Sequence, residues 1–198
     1  MSNNVTVRVL TVVSALRGVS VAILRAFLPV YAIVIGMDIG DIGLAVTLSS
    51  AVSVLFMPFI GFATDLNRKV ILQLSVILMA SASIIPILAP NYLGILIAYI
   101  MFFTAFSAWI PARGAVVVDA VTPSAMASSF TRMSLAFQVA RTLTPYVAGV
   151  IIVNYGYEYV FLISLISLVM ASVLILMYVR GNSGNGVKKL SIKDVLTG

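Results

Sequence analysis

Cysteine and histidine are both absent from the 198 residues of the chain, and acidic residues number only six. Without cysteine there is no disulfide framework and no thiolate metal site. Without histidine the sequence lacks the commonest metal ligand and the side chain that titrates nearest neutral pH. No nucleotide-binding loop or catalytic triad is found either, which also disfavours an ATP-driven pump. The sequence therefore predicts a protein that is not an enzyme, with no catalytic residues, no metal and no cofactor.

Apolar residues, in contrast, are abundant: 62% of the chain is hydrophobic and only 9% is charged. Soluble domains are about 45–50% apolar, so the sequence indicates a lipid bilayer as the solvent. Apolar segments of about 20 residues predict membrane-spanning helices. The sequence contains six such spans, with Asp41 and Ser124 as helix-start residues: Val9–Gly36, Ile42–Ala63, Val70–Ala89, Tyr92–Val118, Ser129–Val153 and Tyr159–Val179. The predicted fold class is an all-α, multi-pass membrane protein.

The positions of lysine and arginine predict the orientation of these spans. Seven of the basic residues lie before span 1 or after spans 2 and 6: Arg8, Arg68, Lys69, Arg180, Lys188, Lys189 and Lys193. Arg113 and Arg132 flank the fourth connection, whereas the opposite loops hold only acidic charge. The positive-inside rule then places both termini in the cytoplasm. The net charge of +6 is thus explained by topology and does not predict a nucleic-acid partner.

The predicted cytoplasmic connection between spans 2 and 3 carries the sequence GFATDLNRK over residues 61–69. It resembles the glycine–aspartate–basic signature of the major facilitator superfamily, with Gly61, Asp65, Arg68 and Lys69 retained. Asn67 replaces the second glycine of that signature, and asparagine tolerates left-handed backbone angles. The resemblance implies that these four residues form a cytoplasmic gate. Two simpler interpretations stay open: the basic pair only marks topology, and Asp65 only caps span 3 or pairs with Arg68.

Further segments resemble the same family in the same order along the chain. They are IPARGAVVVDAVTP over 110–123, TPYVAG over 144–149 and GYEYVF over 156–161. The arginine usual near the start of the family's fourth helix is missing, with Ile100 near its position. The resemblance implies an N-terminal half built from two inverted three-helix repeats, in which Pro145 and Gly149 bend span 5. It also implies secondary active transport of a small solute by alternating access in the cell membrane, together with a second six-helix half.

Polar residues inside the spans predict the wall of a substrate cavity. A charged residue inside a span costs about 2.5–3.5 kcal/mol on insertion scales, so it is expected to face a bundle interior or water. Helical spacing adds hydroxyl and amide groups to these arginines. The predicted cavity residues are Arg17, Arg25, Ser50, Ser134, Gln138 and Arg141. No acidic residue lies deep in a span, which favours an anionic substrate unless a second half supplies carboxylates.

Other interpretations of these arginines and of the chain stay open. Instead of lining a cavity, Arg17 could snorkel towards the membrane surface or brace a helix. Arg113 could be only a topology charge that packs on Trp109. Residues 1–180 are predicted to form the bundle, and residues 181–198 a cytoplasmic linker with the start of an amphipathic helix. We interpret the chain as a fragment or truncated gene product, with a dimerising half-transporter as the competitor. A non-transporting membrane scaffold or assembly subunit is the alternative function.

Overall fold

The structure is a computed structural model that describes residues 2–179, with side chains from residue 5 onward. It consists of six helices: α1 (Ser2–Val34), α2 (Ile39–Leu66), α3 (Arg68–Leu88), α4 (Tyr92–Ala120), α5 (Pro123–Tyr155) and α6 (Tyr157–Tyr178). Each helix is long and apolar enough to cross a membrane. The prediction of six membrane-spanning helices is therefore confirmed. The predicted linker over residues 181–198 lies outside the described residues.

The short connections contain the turn and cap residues that end one helix and start the next. α1 ends in a Schellman motif, in which Gly36 has a φ of 92° and Met37 N–H bonds to Ala32 C=O at 3.0 Å. Asn67 caps α3 by accepting a hydrogen bond from Val70 N–H at 3.2 Å. Asn91 caps α4 in the same way, since its side chain accepts a hydrogen bond from Gly94 N–H at 2.9 Å.

Two predicted helix starts are wrong. α2 begins at Ile39, so Asp41 lies inside its first turn. α5 begins at Pro123, so Ser124 is already helical. Proline fits the first position of a helix because its missing N–H would have no helical partner there. The first turns of α5 are polar. A prediction made from apolar residues misses the part of a helix that extends beyond its apolar segment, so it placed the start of this helix too late.

The packing of the helices follows a two-fold pattern. α1 packs along α5 and α6, and α4 packs along α2 and α3 in the same way, while α3 and α6 contact each other. Exchanging the first three helices for the last three reproduces this set of neighbours. Because three spans reverse the direction of the chain, the second repeat is inverted in the membrane. The two inverted three-helix repeats are those predicted.

The helices differ strongly in how far the bundle encloses them. In the most apolar stretch of α1, 61% of the residues are buried, compared with 17% in α2 and 6% in α5. Leu10, Val13 and Leu24 of α1 are fully enclosed in the core. α2 and α5 therefore present most of their surface to whatever surrounds this bundle.

α1 and α5 approach each other closely at Gly18. A Cβ atom added there would lie 2.5 Å from the carbonyl oxygen of Phe137 and 3.0 Å from the Cβ of Ala140. Hydroxyl groups join α1 to the helices on its other side. Ser20 donates to the carbonyl of Ser164 at 3.1 Å, and the Ser164 hydroxyl lies 2.7 Å from that of Ser83. Small residues and hydroxyl bonds are the usual means of holding membrane helices together.

Candidate functional site

The structure contains a cavity between α1, α2 and α4. Its volume is about 330 Å³, near the lower end of the range for ligand sites. Apolar and aromatic side chains make up most of its lining, which consists of Val21, Arg25, Pro29, Val46, Tyr99, Phe102, Phe103 and Phe106. Arg25 is the one charged residue in that lining, and its side chain is exposed. This arrangement suits a small ligand that has an apolar body and a negative or hydrogen-bond-accepting group.

Tyr99 also belongs to the lining of this cavity. Its side chain is only 4% exposed, and its hydroxyl finds no hydrogen-bond partner among the described residues. A buried tyrosine hydroxyl usually has a partner. Tyr99 was not predicted from the sequence, because a single tyrosine in an apolar stretch does not stand out. The hydroxyl oxygen of Tyr99 is thus enclosed by protein atoms, and the guanidinium of Arg25 is the polar group that this cavity offers to a ligand.

The structure divides the predicted cavity residues between separate places. Ser50 lies beside the cavity, where its hydroxyl bonds to the carbonyl of Val46 at 2.8 Å. Ser134 and Gln138 are exposed on α5, and Arg141 is half-buried on the same helix. Their spacing places these three residues on one face of α5. That face is separate from the lining of the cavity that includes Arg25.

Arg17 lies inside the bundle, where its side chain is 1% exposed. Its guanidinium carbon is 4.1 Å from the centre of the Trp109 ring, a cation–π contact. Nε and Nη2 of Arg17 have no hydrogen-bond partner among the described residues. The predicted packing of Arg113 on Trp109 is wrong, because Arg113 instead lies 5.7 Å from the ring of Phe130 on α5. Helical spacing along α4 did not reveal that α1 supplies the cation.

The basic pair that follows Asn67 ties the start of α3 to other helices. Arg68 forms an ion pair with Asp119 at the end of α4. Lys69 donates to the carbonyl of Leu176 on α6 at 3.1 Å. Asp65 is exposed and takes part in no ion pair within residues 5–179. The interpretation that Asp65 caps α3 or pairs with Arg68 is therefore wrong. Asn67 is the residue that caps α3, and Asp119 is the residue that pairs with Arg68.

The glycines of the predicted gate and of the predicted bend have free space around them. A Cβ atom added at Gly61 or Gly149 would meet nothing within 4 Å. Contacts within the described bundle therefore do not require glycine at either position. Pro145 lies inside α5, and Thr144 before it bonds to the carbonyl of Ala140 at 2.6 Å. The roles in gating and bending stay predictions.

The six apolar helices and their inverted-repeat packing define an integral, multi-pass membrane protein of the all-α class. The sequence profile described as Major Facilitator Superfamily matches residues 10–196. The chain therefore belongs to the Major Facilitator Superfamily, as the motifs predicted. No curated protein sequence matches the chain.

The fold is similar to that of solved structures. One is the crystal structure of the human organic anion transporter MFSD10 (TETRAN), with a TM-score of 0.72 and 16% sequence identity. The alignment covers 91% of this chain and 48% of that chain. The chain thus spans about half the length of this neighbour. A likeness at this level of identity shows the fold alone, so the function is inferred from the residues of the chain itself.

Proposed function

We propose that the chain forms one six-helix half of a secondary transporter that moves a small solute across the membrane by alternating access. The observation that carries this proposal is the open face of α5. Only 6% of its most apolar stretch is buried, yet Gln138 and Arg141 lie near the middle of this 33-residue helix. Polar and charged residues at that depth face a protein interior or water rather than lipid.

The second half of the proposed transporter covers this open face. The two inverted repeats contact each other through α3 and α6, among other helices. α2 and α5 are the helices that the bundle encloses least. In the transporters built from parallel halves, the substrate site lies between the halves near the bilayer midplane. The human neighbour is about twice as long as this chain, which agrees with a partner half of similar size.

The proposed substrate carries a negative or strongly hydrogen-bond-accepting group. Arg25 is the charged residue of the aromatic cavity, and a guanidinium keeps its charge at any ordinary pH. The described acidic residues all lie near helix ends, so none of them neutralises Arg25 inside its span. The human neighbour is an organic anion transporter, and an anionic substrate for this chain agrees with that likeness.

We assign the proposed gate contact to Asp65 and the positioning of its connection to Arg68 and Lys69. Arg68 and Lys69 already bind α4 and α6, so they fix the point at which α2 ends. Asp65 lies at that point with an exposed carboxylate, and Gly61 one turn earlier leaves free space beside it. These features suit a close contact between this end of α2 and the second half.

Thiol labelling tests the proposal, because the chain has no native cysteine. A membrane-impermeant reagent is expected to label Gln138→Cys and Arg25→Cys in intact membranes. Ile166→Cys serves as the matched control, since Ile166 is 57% exposed on α6, where lipid contact is expected. If Gln138→Cys reacts as slowly as Ile166→Cys, the face of α5 lies in lipid. That result would exclude an aqueous pathway and favour a membrane scaffold.

A further inference from the structure

A groove runs between α3 and α6 on the surface of the bundle. Two cavities of about 280 Å³ and about 230 Å³ lie between these helices, and Ile77 lines both of them. The two cavities therefore form one continuous depression, the α3–α6 groove. Its residues on α3 recur at steps of three and four, which places them on one face of that helix. Among them are Val70, Leu74, Ile77, Ser81 and Ile84.

The walls of the α3–α6 groove are largely apolar and accessible from outside. Four large apolar side chains in them are 44–51% exposed: Leu74, Ile77, Val169 and Val173. The hydroxyl of Ser81 already bonds to the carbonyl of Ile77 at 3.2 Å, and Gln73 donates to the hydroxyl of Ser172. Between Val70 and Ile84 the lining contains no charged residue. This part of the groove therefore suits a hydrocarbon chain.

The α3–α6 groove lies away from the open face of the bundle. Following their main contacts, the helices form a series in the order α2, α4, α3, α6, α1 and α5. α2 and α5 stand at the two ends of this series and do not contact each other within the described residues. α3 and α6 stand in its middle. A second half seated on α2 and α5 would therefore leave the groove in contact with lipid.

Lys69 lies at one end of the α3–α6 groove and is the charged residue of its lining. Its ammonium group donates one hydrogen bond, to the carbonyl of Leu176 at 3.1 Å, which leaves two further N–H groups. Within residues 5–179 Lys69 has no acidic partner, whereas Arg68 is paired with Asp119. The first turn of α3 holds no acidic residue, and the helix dipole favours an anion there. This end of the groove therefore suits a negative group.

The length of the α3–α6 groove matches one leaflet of a bilayer. Lys69 and Ile84 are 15 residues apart on α3, about 22 Å along the helix axis. Half of a bilayer measures about 15 Å of hydrocarbon, or about 20–22 Å with its headgroups. Tyr178, two residues after Leu176, is exposed near the Lys69 end, and tyrosine is enriched at the level of the headgroups. The groove thus runs from the headgroup level towards the middle of the bilayer.

We propose that the α3–α6 groove binds one phospholipid with a net negative headgroup. Its phosphate pairs with the ammonium group of Lys69, and one acyl chain lies in the groove against Ile77 and Val169. The positive-inside rule predicts that the Lys69 end is cytoplasmic, and basic sites on that side bind anionic headgroups. The proposal does not depend on transport, because it concerns binding to the chain itself.

Non-denaturing mass spectrometry of the purified 198-residue chain tests the proposal by counting bound lipids. The chain in detergent is titrated with phosphatidylglycerol, and separately with phosphatidylcholine that has the same acyl chains. One phosphatidylglycerol is expected to bind with a Kd about fivefold lower, as for one lysine beside an anionic headgroup. Lys69→Gln should remove this preference, and Lys69→Arg, which keeps the charge, should retain it. Arg132→Gln is the matched control, since it removes an exposed arginine of α5, and should also retain the preference.

Ala80→Phe tests the part of the groove assigned to the acyl chain. Ala80 lines the groove and is half-buried, so the larger ring occupies space that the chain would fill. The variant is expected to weaken the binding of both lipids while it keeps the ratio of their Kd values. Circular dichroism first establishes that each variant is folded. If Lys69→Gln does not fold, the titrations of the wild-type chain and of Ala80→Phe carry the test.

Several outcomes would overturn the proposal. Equal Kd values for the two lipids, unchanged binding to Ala80→Phe, or loss of the preference in Arg132→Gln would each do so. Displacement of phosphatidylglycerol by millimolar inorganic phosphate would show a site for free phosphate instead. A dimer without bound lipid that separates in Ala80→Phe would place a second copy of the chain in the groove.

Discussion

Gly18→Ala tests the closest helix contact in the bundle. The new methyl group would lie 2.5 Å from the carbonyl oxygen of Phe137, whereas an ordinary carbon–oxygen contact is about 3.3 Å. α1 and α5 would have to separate by roughly 0.8 Å at this point, because a backbone atom of a helix cannot rotate away. Overpacking of this kind costs about 1–3 kcal/mol. We expect the apparent Tm to fall by roughly 2–12 °C.

Thermal unfolding of the purified chain in detergent measures this effect, with Gly149→Ala as the control. A Cβ atom at Gly149 meets nothing within 4 Å, and alanine favours helix over glycine by about 0.5–1 kcal/mol. The control should therefore leave the Tm unchanged or raise it. If Gly18→Ala also unfolds at or above the wild-type temperature, α1 and α5 do not pack as closely as described.

Four further predictions concern charge and assembly. In a double-mutant cycle with Arg68→Gln, Asp119→Asn should reveal a coupling of about 1 kcal/mol in unfolding, since the pair is only partly exposed; no coupling would refute the contact. Asp65→Asn should leave the unfolding of the chain alone unchanged but reduce solute uptake by the assembled transporter at equal membrane abundance. Arg25→Gln should weaken binding of an anionic solute to that assembly by more than about 1.4 kcal/mol, which is tenfold in Kd; unchanged binding would show that Arg25 does not contact the substrate. The 198-residue chain alone should give no solute flux in liposomes, and robust flux would instead indicate a working homodimer.

The fold could be predicted from the sequence because lipid imposes a simple rule on each span. A helix that crosses the bilayer must be apolar for about 20 residues, and all six apolar segments are helices in the structure. The wrongly predicted helix starts lie outside the apolar segments, where this rule does not apply. The first turns of α5, from Pro123 onward, are helical but polar, so hydropathy does not report them.

The candidate site was less predictable from the sequence. Helical spacing shows which residues share a face of one helix, but it does not show which other helix packs against that face. The sequence identified Arg17 as a buried charge, but its partner Trp109 lies 92 positions later on α4. Arg68 and its partner Asp119 are also far apart in sequence, with Asp119 51 positions later. Arg113 was interpreted as a topology charge for the same reason. Each of these contacts depends on how the helices are rotated against one another, and local patterns do not determine that rotation.

The packing of α1 has a consequence for the synthesis of the chain in the cell. α1 is made first, but Ser20 bonds to Ser164, which is 144 residues further along. At about 5–20 residues per second, the ribosome takes roughly 7–30 s to cover that distance. Until α5 and α6 have been made, α1, with Arg17 and Arg25 inside it, lacks its contacts with these two helices. The newly inserted helix therefore needs the translocon, a chaperone or water near its arginines until the end of the bundle emerges.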